Sequence, residues 1–295
     1  MKAGKLPIEH LEKVLNAFKT SDPRIIAGPM PGEDASLIDM GDSYLIATTD
    51  PITFTADRIG WYAVNINAND VAVMGGEAKW MMATLLLPEN FGETATNQIF
   101  NDIAEACNHL NISVVGGHTE ITAGIDRPLI SGVMLGEVEK GKEVRSSGAK
   151  EGDSIILTKA IPIEGCAILA GEAENQLLKN GVVATLIEEA RNLIHNPGIS
   201  IVKDASIAME SGKINAMHDI TEGGIAGGLA ELAYASNLGI HVTRENIPEI
   251  PQAKIFSEIL GLDTLGIIAS GSLLICASPK HDSAIIKNLK SNGIN

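Results

Sequence analysis

Asp219 opens the run Asp219-Ile220-Thr221-Glu222-Gly223-Gly224, which sets a carboxylate, a hydroxyl and a glycine pair directly before an apolar segment with helical spacing. These residue types suit a phosphate and its metal. Glycines let the backbone approach phosphate oxygens, a helix N-terminus offers unpaired N–H groups, and a carboxylate supplies the hard oxygen that Mg²⁺ prefers. A glycine-rich turn capping an ordinary helix has the same composition, so this run alone leaves both readings open.

Four upstream segments repeat the theme. Gly32-Glu33-Asp34-Ala35 is the first. In the second, the apolar residues 44–47 read as a strand that delivers Asp50 at its end, where Pro51 stops the pairing. In the third, Ala63, Asn67, Asp70 and Met74 share one face of a helical pattern, with Asn65 and Asn69 interleaved. The fourth, Gly116-Gly117-His118-Thr119-Glu120, follows a short apolar strand expected over 112–115.

The elements that position these residues alternate. Short strands and two amphipathic helices, over about 57–74 and 93–110, fill the first half, and a strand follows over 127–135. A charged, glycine-rich stretch over 137–152 marks the expected domain boundary, giving domains 1–138 and 139–295. In the second half, strands are expected over 154–158, 239–242 and 273–277. Helices are expected near 167–171 and over 183–193, 199–211, 226–235 and 280–289.

Composition removes several function classes. A chain of 295 residues with 45% apolar side chains can bury two ordinary cores. A net charge of −15 with no Lys/Arg cluster argues against nucleic acid. Residues 1–10 hold no apolar signal core, and the apolar stretch over 267–277 is too short and too rich in Gly and Ser to span a bilayer, so a cytoplasmic, non-membrane enzyme is expected. Cys107, Cys166 and Cys276 form neither a disulfide framework nor a zinc pattern and read as buried packing residues.

Taken in order, the five segments resemble the ATP-dependent synthetase superfamily typified by aminoimidazole ribonucleotide (AIR) synthetase. That superfamily carries a Gly-Asp-Asp-Ala element, a strand ending in Asp, an Asn-Asp on a helix, a Gly-Gly-x-Thr-Glu and an Asp-x-Thr-x-Gly-Gly. Within it, Asp219 to Leu229, then Gly261-Leu262-Asp263 and Ser270-Gly271-Ser272, look most like the HypE family of hydrogenase maturation proteins.

The resemblance implies a two-domain α/β (α+β) PurM-like fold, with an N-terminal sheet that pairs with its copy across a homodimer and a C-terminal mixed α/β domain. It implies ATP and Mg²⁺ as cofactors, with Asp34, Asp50, Asp70 and Asp219 as metal ligands. Asn67, Asn69, Gly116, Gly117, Thr119, Thr221, Gly223 and Gly224 would bind nucleotide, and Asp50, Asp219 and Glu120 would carry the chemistry. The implied reaction is phosphorylation of an amide-type oxygen. In HypE this dehydrates a thiocarboxamide on the protein's own terminal cysteine to a thiocyanate, in company with a carbamoyltransferase and iron-scaffold proteins.

This chain departs from that pattern in three places. Glu33 stands where the family has Asp, the opening Lys2-Ala3-Gly4-Lys5 replaces a glycine-rich start, and the sequence ends Gly293-Ile294-Asn295 with no cysteine. Either a tail is missing from the chain, which predicts an abrupt, unpaired sheet edge at its carboxy terminus, or this is a paralogue with another acceptor. Alternatives from other classes are a small-molecule kinase or synthetase of the thiamine monophosphate kinase or AIR synthetase type, and a nucleotide-gated partner in a maturation complex.

Overall fold

The computed structural model describes residues 4–18 and 20–295; Lys2 and Ala3 of the divergent opening lie outside them. The first half runs α1 (Ile8–Leu15), β1 (Ile25–Ala27), β2 (Ser36–Asp39), β3 (Ser43–Thr48), β4 (Pro51–Ile52), α2 (Ile59–Val73), β5 (Glu77–Pro88), α3 (Glu93–Leu110), β6 (Ser113–Thr122) and β7 (Leu129–Glu139). Its strands form one seven-stranded sheet in the order β1-β2-β3-β7-β5-β6, with β4 also on β7. Only β5 and β6 run parallel, because α3 is the crossover between them.

The second half runs β8 (Ser154–Leu157), α4 (Ile163–Glu172), α5 (Glu174–Lys179), α6 (Ala184–Arg191), α7 (Val202–Ser211), β9 (Ala216–Asp219), α8 (Gly224–Ser236), α9 (Pro251–Leu260), β10 (Leu273–Ala277) and α10 (Pro279–Ser291). Its sheet is antiparallel, in the order β8-β10-β9. The outer edge of β8 borders a groove of about 1110 Å³ walled by Ile155, Leu157, Ile240 and Ile294.

The 57–74 helix differs from the amphipathic expectation in an instructive way. Every residue of α2 is buried, Asn65, Asn67, Asn69 and Asp70 included. A helix covered on all faces is a core element, and here the sheet strand β7, α3, and α7 with β9 of the second half surround it. Its polar residues therefore need internal partners. Asn69 supplies two of these contacts: its Nδ2 donates to the Ile199 carbonyl at 2.9 Å, and its Oδ1 accepts from the Ile201 N–H at 2.9 Å. This amide stitches the central helix of the first half to the start of α7 in the second.

Two further expectations change. The strand expected over 112–115 does not stop at the glycines; β6 continues through them to Thr122 because its register on β5 runs unbroken from Met82 opposite Gly116 to Pro88 opposite Thr122. No ladder forms over 239–242, which lies as a loop between α8 and a short 3₁₀ turn. Several elements escape the sequence pattern, among them the helices α1, α5 and α9, the twelve-residue β5 and the short β9. No described helix is long and apolar enough to cross a membrane.

Replacing Asn69 with Ala leaves the Ile199 carbonyl and the Ile201 N–H buried without partners, so the expected cost is on the order of 2–4 kcal/mol, read as a lower urea midpoint at unchanged slope. A loss below 0.5 kcal/mol, on the order of an ordinary surface change, would contradict the clamp.

Candidate active site

The ends of β3 and β9, the loop before β2 and the buried helix α2 converge at one point. Asp219 is the last residue of β9, and Asp70 lies on the last turns of α2. Asp50 sits between β3 and β4, gripped by Asn67: its N–H donates to Asn67 Oδ1 at 2.9 Å, and Asn67 Nδ2 donates to its carbonyl at 3.2 Å and to the Ala63 carbonyl at 2.9 Å. Gly132 is required beneath this grip, since a Cβ there would come within 2.5 Å of Asn67 Nδ2. Asp34 is held through its carbonyl, which accepts from Thr48 Oγ1 at 3.1 Å.

These four carboxylates sense one another. Burial, then the charge of Glu222, raises Asp50 to about 6, with Asp34 adding to the effect. Asp70 is pushed well above the ordinary range by burial and by Asp50, Asp219 and Asp34. Asp219 rises to about 8, first through burial and then through Asp34, against the pull of His218 and Lys5. Thr48 Oγ1 lies 2.6 Å from Asp70 Oδ2. Thr48 Oγ1 thus faces both the Asp34 carbonyl and the Asp70 carboxylate, and its single hydrogen is donated to one of them at a time.

Two cations compensate part of this charge. His218 Nδ1 lies 3.0 Å from Asp34 Oδ2, and its Nε2 lies 3.2 Å from Glu231 Oε2. Burial opposes its charging, but Asp34 and Glu231 prevail and raise it to about 10, so it is an imidazolium with both nitrogens donating. Lys5 donates to Thr221 Oγ1 at 2.9 Å and to Glu231 at 3.1 Å. Burial resists its charge too, yet Glu231, Asp219 and Glu222 hold its pKa above the usual lysine value.

The donor set fits a hard divalent cation. Asp34, His218 and Asp219 offer ligand atoms within 4.8 Å of one another. The Asp219 Oδ2 atom is buried with no hydrogen-bond partner, the condition in which a carboxylate oxygen is available to a metal. His218 already binds Asp34 and Glu231, so the metal-facing groups are the carboxylates.

The remaining sequence candidates divide into three places. Thr221, Gly223 and Gly224 adjoin Asp219, and the two glycines open α8 at φ 86° and 61°. Asn67 and Asn69 have their amides committed to backbone, at Asp50 and at residues 199–201. Gly116, Gly117, Thr119 and Glu120 lie together on β6, exposed along its length at one end of the strand order. There Glu120 accepts from Thr122 at 2.8 Å and pairs with His118 at 3.2 Å, which lower its pKa, Thr122 first. No hydrogen bond joins them to the aspartates within the described residues of this one chain. Glu33 is tied to Arg145 at 3.1 Å with its side chain almost fully buried, so it braces the linker after β7. Sequence reasoning passed over Glu231, which bonds both His218 and Lys5; its place twelve residues after Asp219, one face along α8, was the available signal.

Comparison with known proteins gives a consistent result. The family models described as AIR synthase related protein, N-terminal domain, and AIR synthase related protein, C-terminal domain, match residues 32–138 and 150–295. A candidate hydrogenase expression/formation protein of Methanocaldococcus jannaschii is 29% identical over 265 residues, covering 88% of this chain and 76% of that one. Carbamoyl dehydratase HypE of Rhizobium leguminosarum bv. viciae is 27% identical over 262 residues, covering 86% and 72%. Among solved structures, that of a HypE–HypF complex superposes with a TM-score of 0.77 at 24% identity, covering 95% and 87%. HypE in complex with ATP gives 0.70 at 21%, covering 95% and 77%. The fold is thus the PurM-like one that the motif order implied.

Protonation of the buried acids fixes the pH dependence of stability. Asp219 keeps its proton to about pH 8 in the fold, against about 3.9 in an unfolded chain, so the folded state binds more protons and stability falls as pH rises between those values. His218, near 10 folded and about 6.5 unfolded, contributes stability below 6.5 that is also lost on the way to 10. The melting temperature of the metal-free protein is therefore expected to drop by about 5 °C or more from pH 6 to pH 9. Scanning calorimetry checks it, and Asp219→Asn should flatten the slope; a melting temperature that climbs over this range would overturn the assignment.

Proposed function

Both halves of this chain belong to the AIR synthase related protein family, and on that premise we propose that it is a cytoplasmic, Mg·ATP-dependent enzyme of the HypE type that phosphorylates and dehydrates an amide-type group. The observation that carries the reading is the meeting of Asp34, Asp50, Asp70 and Asp219, from four separate segments, around the unpartnered Asp219 Oδ2. Two buried carboxylates, Asp70 and Asp219, beside the half-buried Asp34 and Asp50 are costly to charge together without cations to share them, and a nucleotide's magnesium is a cation of the right hardness.

In this reading Asp34, Asp50, Asp70 and Asp219 hold Mg²⁺, which when bound neutralises charge on the transferring phosphoryl group. Thr221 and the glycines that open α8 place backbone N–H groups beside it. Lys5 stays cationic over the site, oriented by Glu231 and Thr221. Asn67 keeps Asp50 at its place by its main chain, leaving the carboxylate free to face the ligand. Asn69 acts on the same geometry from further away, by fixing α2 against α7.

Domains 1–138 and 139–295 meet along α2, and the aspartates lie at that seam. The acceptor amide is carried elsewhere than on Cys107, Cys166 or Cys276: all three are buried, and burial raises their thiols to about 11, 12 and 12. A relative has been solved in complex with HypF, which makes a partner protein of that kind a candidate to work with this chain. The chain works as a homodimer. The unpaired edge of β6 and its exposed Val114, Val115 and Ile121 provide an aliphatic pairing surface, and pairing there carries Gly116, Gly117, Thr119 and Glu120 towards the nucleotide of the shared assembly.

Two measurements test the reading. Titration calorimetry with Mg·ATP should show binding by the unaltered protein and at least about a hundredfold weaker binding by Asp50→Asn and by Asp219→Asn, with circular dichroism unchanged; unaltered affinity in both refutes the site. Light scattering should give a mass of twice 31.0 kDa, falling to one chain when Val115 and Ile121 are both changed to Asp. A dimer that survives both changes removes β6 as the interface.

A further inference from the structure

Lys159 carries two costs that its place at the end of β8 does not require. Its backbone lies in the left-handed region at φ 57°, a conformation that glycine adopts without strain and a lysine does not. Its side chain is only 8% exposed, so its ammonium gives up its water. Burial accordingly pulls its pKa down, against the opposing effect of Asp204. A residue held in an unfavourable backbone geometry that also buries a charge has a task for its side chain.

The head of that side chain grips the segment that leads into α7. Lys159 Nζ donates to the Ser200 carbonyl at 2.7 Å and to the Gly198 carbonyl at 3.4 Å, and it faces Asp204 Oδ2 at 3.4 Å. Three ammonium hydrogens thus meet three acceptors. The same segment is held from the first half by Asn69, which takes the Ile199 carbonyl and the Ile201 N–H. Successive residues therefore alternate between two anchors: 198 and 200 go to the lysine of one domain, and 199 and 201 go to the asparagine of the other.

The other end of Lys159 is fixed to the sheet that carries Asp219. Thr158, the residue before it, donates its N–H to the Leu273 carbonyl at 3.0 Å and accepts the Leu273 N–H on Oγ1 at 3.1 Å. Leu273 is in turn the register partner of Asp219 on β9. Thr158, Leu273 and Asp219 form one row across the second-half sheet, and Lys159 is attached to its end. On the far side of segment 198–201, Asn69 is the immediate neighbour of Asp70 on α2.

We propose that Lys159 is a positioning residue for the nucleotide's metal: it ties the row ending in Asp219 to segment 198–201 and, through Asn69, sets the spacing between Asp219 and Asp70. The proposal rests on the Mg·ATP reading above and assigns to that site a residue outside it. Hydrogen bonds to main-chain carbonyls do the positioning. Asp204 neutralises the ammonium with one oxygen, while its Oδ1 has no partner among the described residues. Glycine at 159 would relieve the backbone and lose the bracket, which accounts for a lysine at a left-handed position.

The test uses the full chain with Asp204→Asn and with the double variant Lys159→Met/Asp204→Asn, which removes both buried charges together so that neither is left unpaired. Titration calorimetry should show Mg·ATP binding weakened about fivefold or more in the double variant, and within about twofold of the unaltered protein in Asp204→Asn, where the carbonyl bonds persist. Adding Asn69→Ala should then cost no more than about twofold beyond the larger separate loss, because both side chains act through one segment; independent effects would multiply. Hydrogen exchange at the Ile201 amide, which donates to Asn69, reads the same grip without nucleotide. It should quicken about tenfold or more relative to the amides of β10 in the double variant. Unchanged Mg·ATP affinity in a folded double variant, or losses that multiply, overturns the assignment. An absence of Mg·ATP binding by the unaltered protein brings down the nucleotide reading first, and the Ile201 exchange rate then still decides whether the bracket exists.

Discussion

Electrostatic repulsion among Asp34, Asp50, Asp70 and Asp219 is the constraint around which this molecule is arranged. Like charges in a buried setting push one another apart or take up protons, and the raised pKa values of Asp50, Asp70 and Asp219 record that tension. The fold contains it with rigid supports. A fully buried helix carries Asp70, an asparagine clamp fixes Asp50 by its backbone, the end of β9 delivers Asp219, and the loop before β2 delivers Asp34. The imidazolium of His218 and the ammonium of Lys5, both anchored on Glu231, offset part of the charge. What remains uncompensated is the affinity of the site for a cation.

The polar content of α2 follows from the same constraint. In a helix with no solvent face, each asparagine has to justify its burial by a specific bond. Asn65 donates to the Trp61 carbonyl within the helix, Asn67 reaches the Asp50 main chain, and Asn69 reaches across to residues 199–201. Helix, strand end and second domain are thereby locked in one geometry, so the separation of carboxylates that belong to different domains is set by hydrogen bonds at about 2.9 Å.

At the far end of the large sheet the opposite condition holds. β6 presents ten residues with a free edge, exposed valines and an isoleucine, and the Gly-Gly-His-Thr-Glu run at its centre. A long, apolar, open edge is a liability for a lone subunit and a ready surface for a second one. The same strand needs glycine at 117, because a Cβ there would run into the Ala83 backbone of β5. The motif that looks like a phosphate loop in one dimension is a flat strand in three.

Local chemistry in the sequence was enough to determine much of this. Asp50 at a strand end, the helix bearing Asp70, and Asp219 ahead of paired glycines were legible, because strand alternation, helical spacing and glycine turns are short-range signals. The order of the five segments carried the family and hence the fold. What the sequence left out depends on neighbours distant in the chain. The long strand β5 alternates poorly because its register shifts against both neighbours, between Ala78 and Trp80 on β7 and between Met81 and Met82 on β6; β9 is four buried residues with no solvent face to set a pattern. The apolar spacing of α2 pointed to one polar face, and only the packing of α3, α7 and the sheet around it showed that there is none. The pairing of His218 with Asp34, 184 residues apart, and of Glu164 with Ser270, 106 apart, came from tertiary structure alone. A hydrogen bond is read from geometry, and a linear sequence states which groups exist without stating which of them meet.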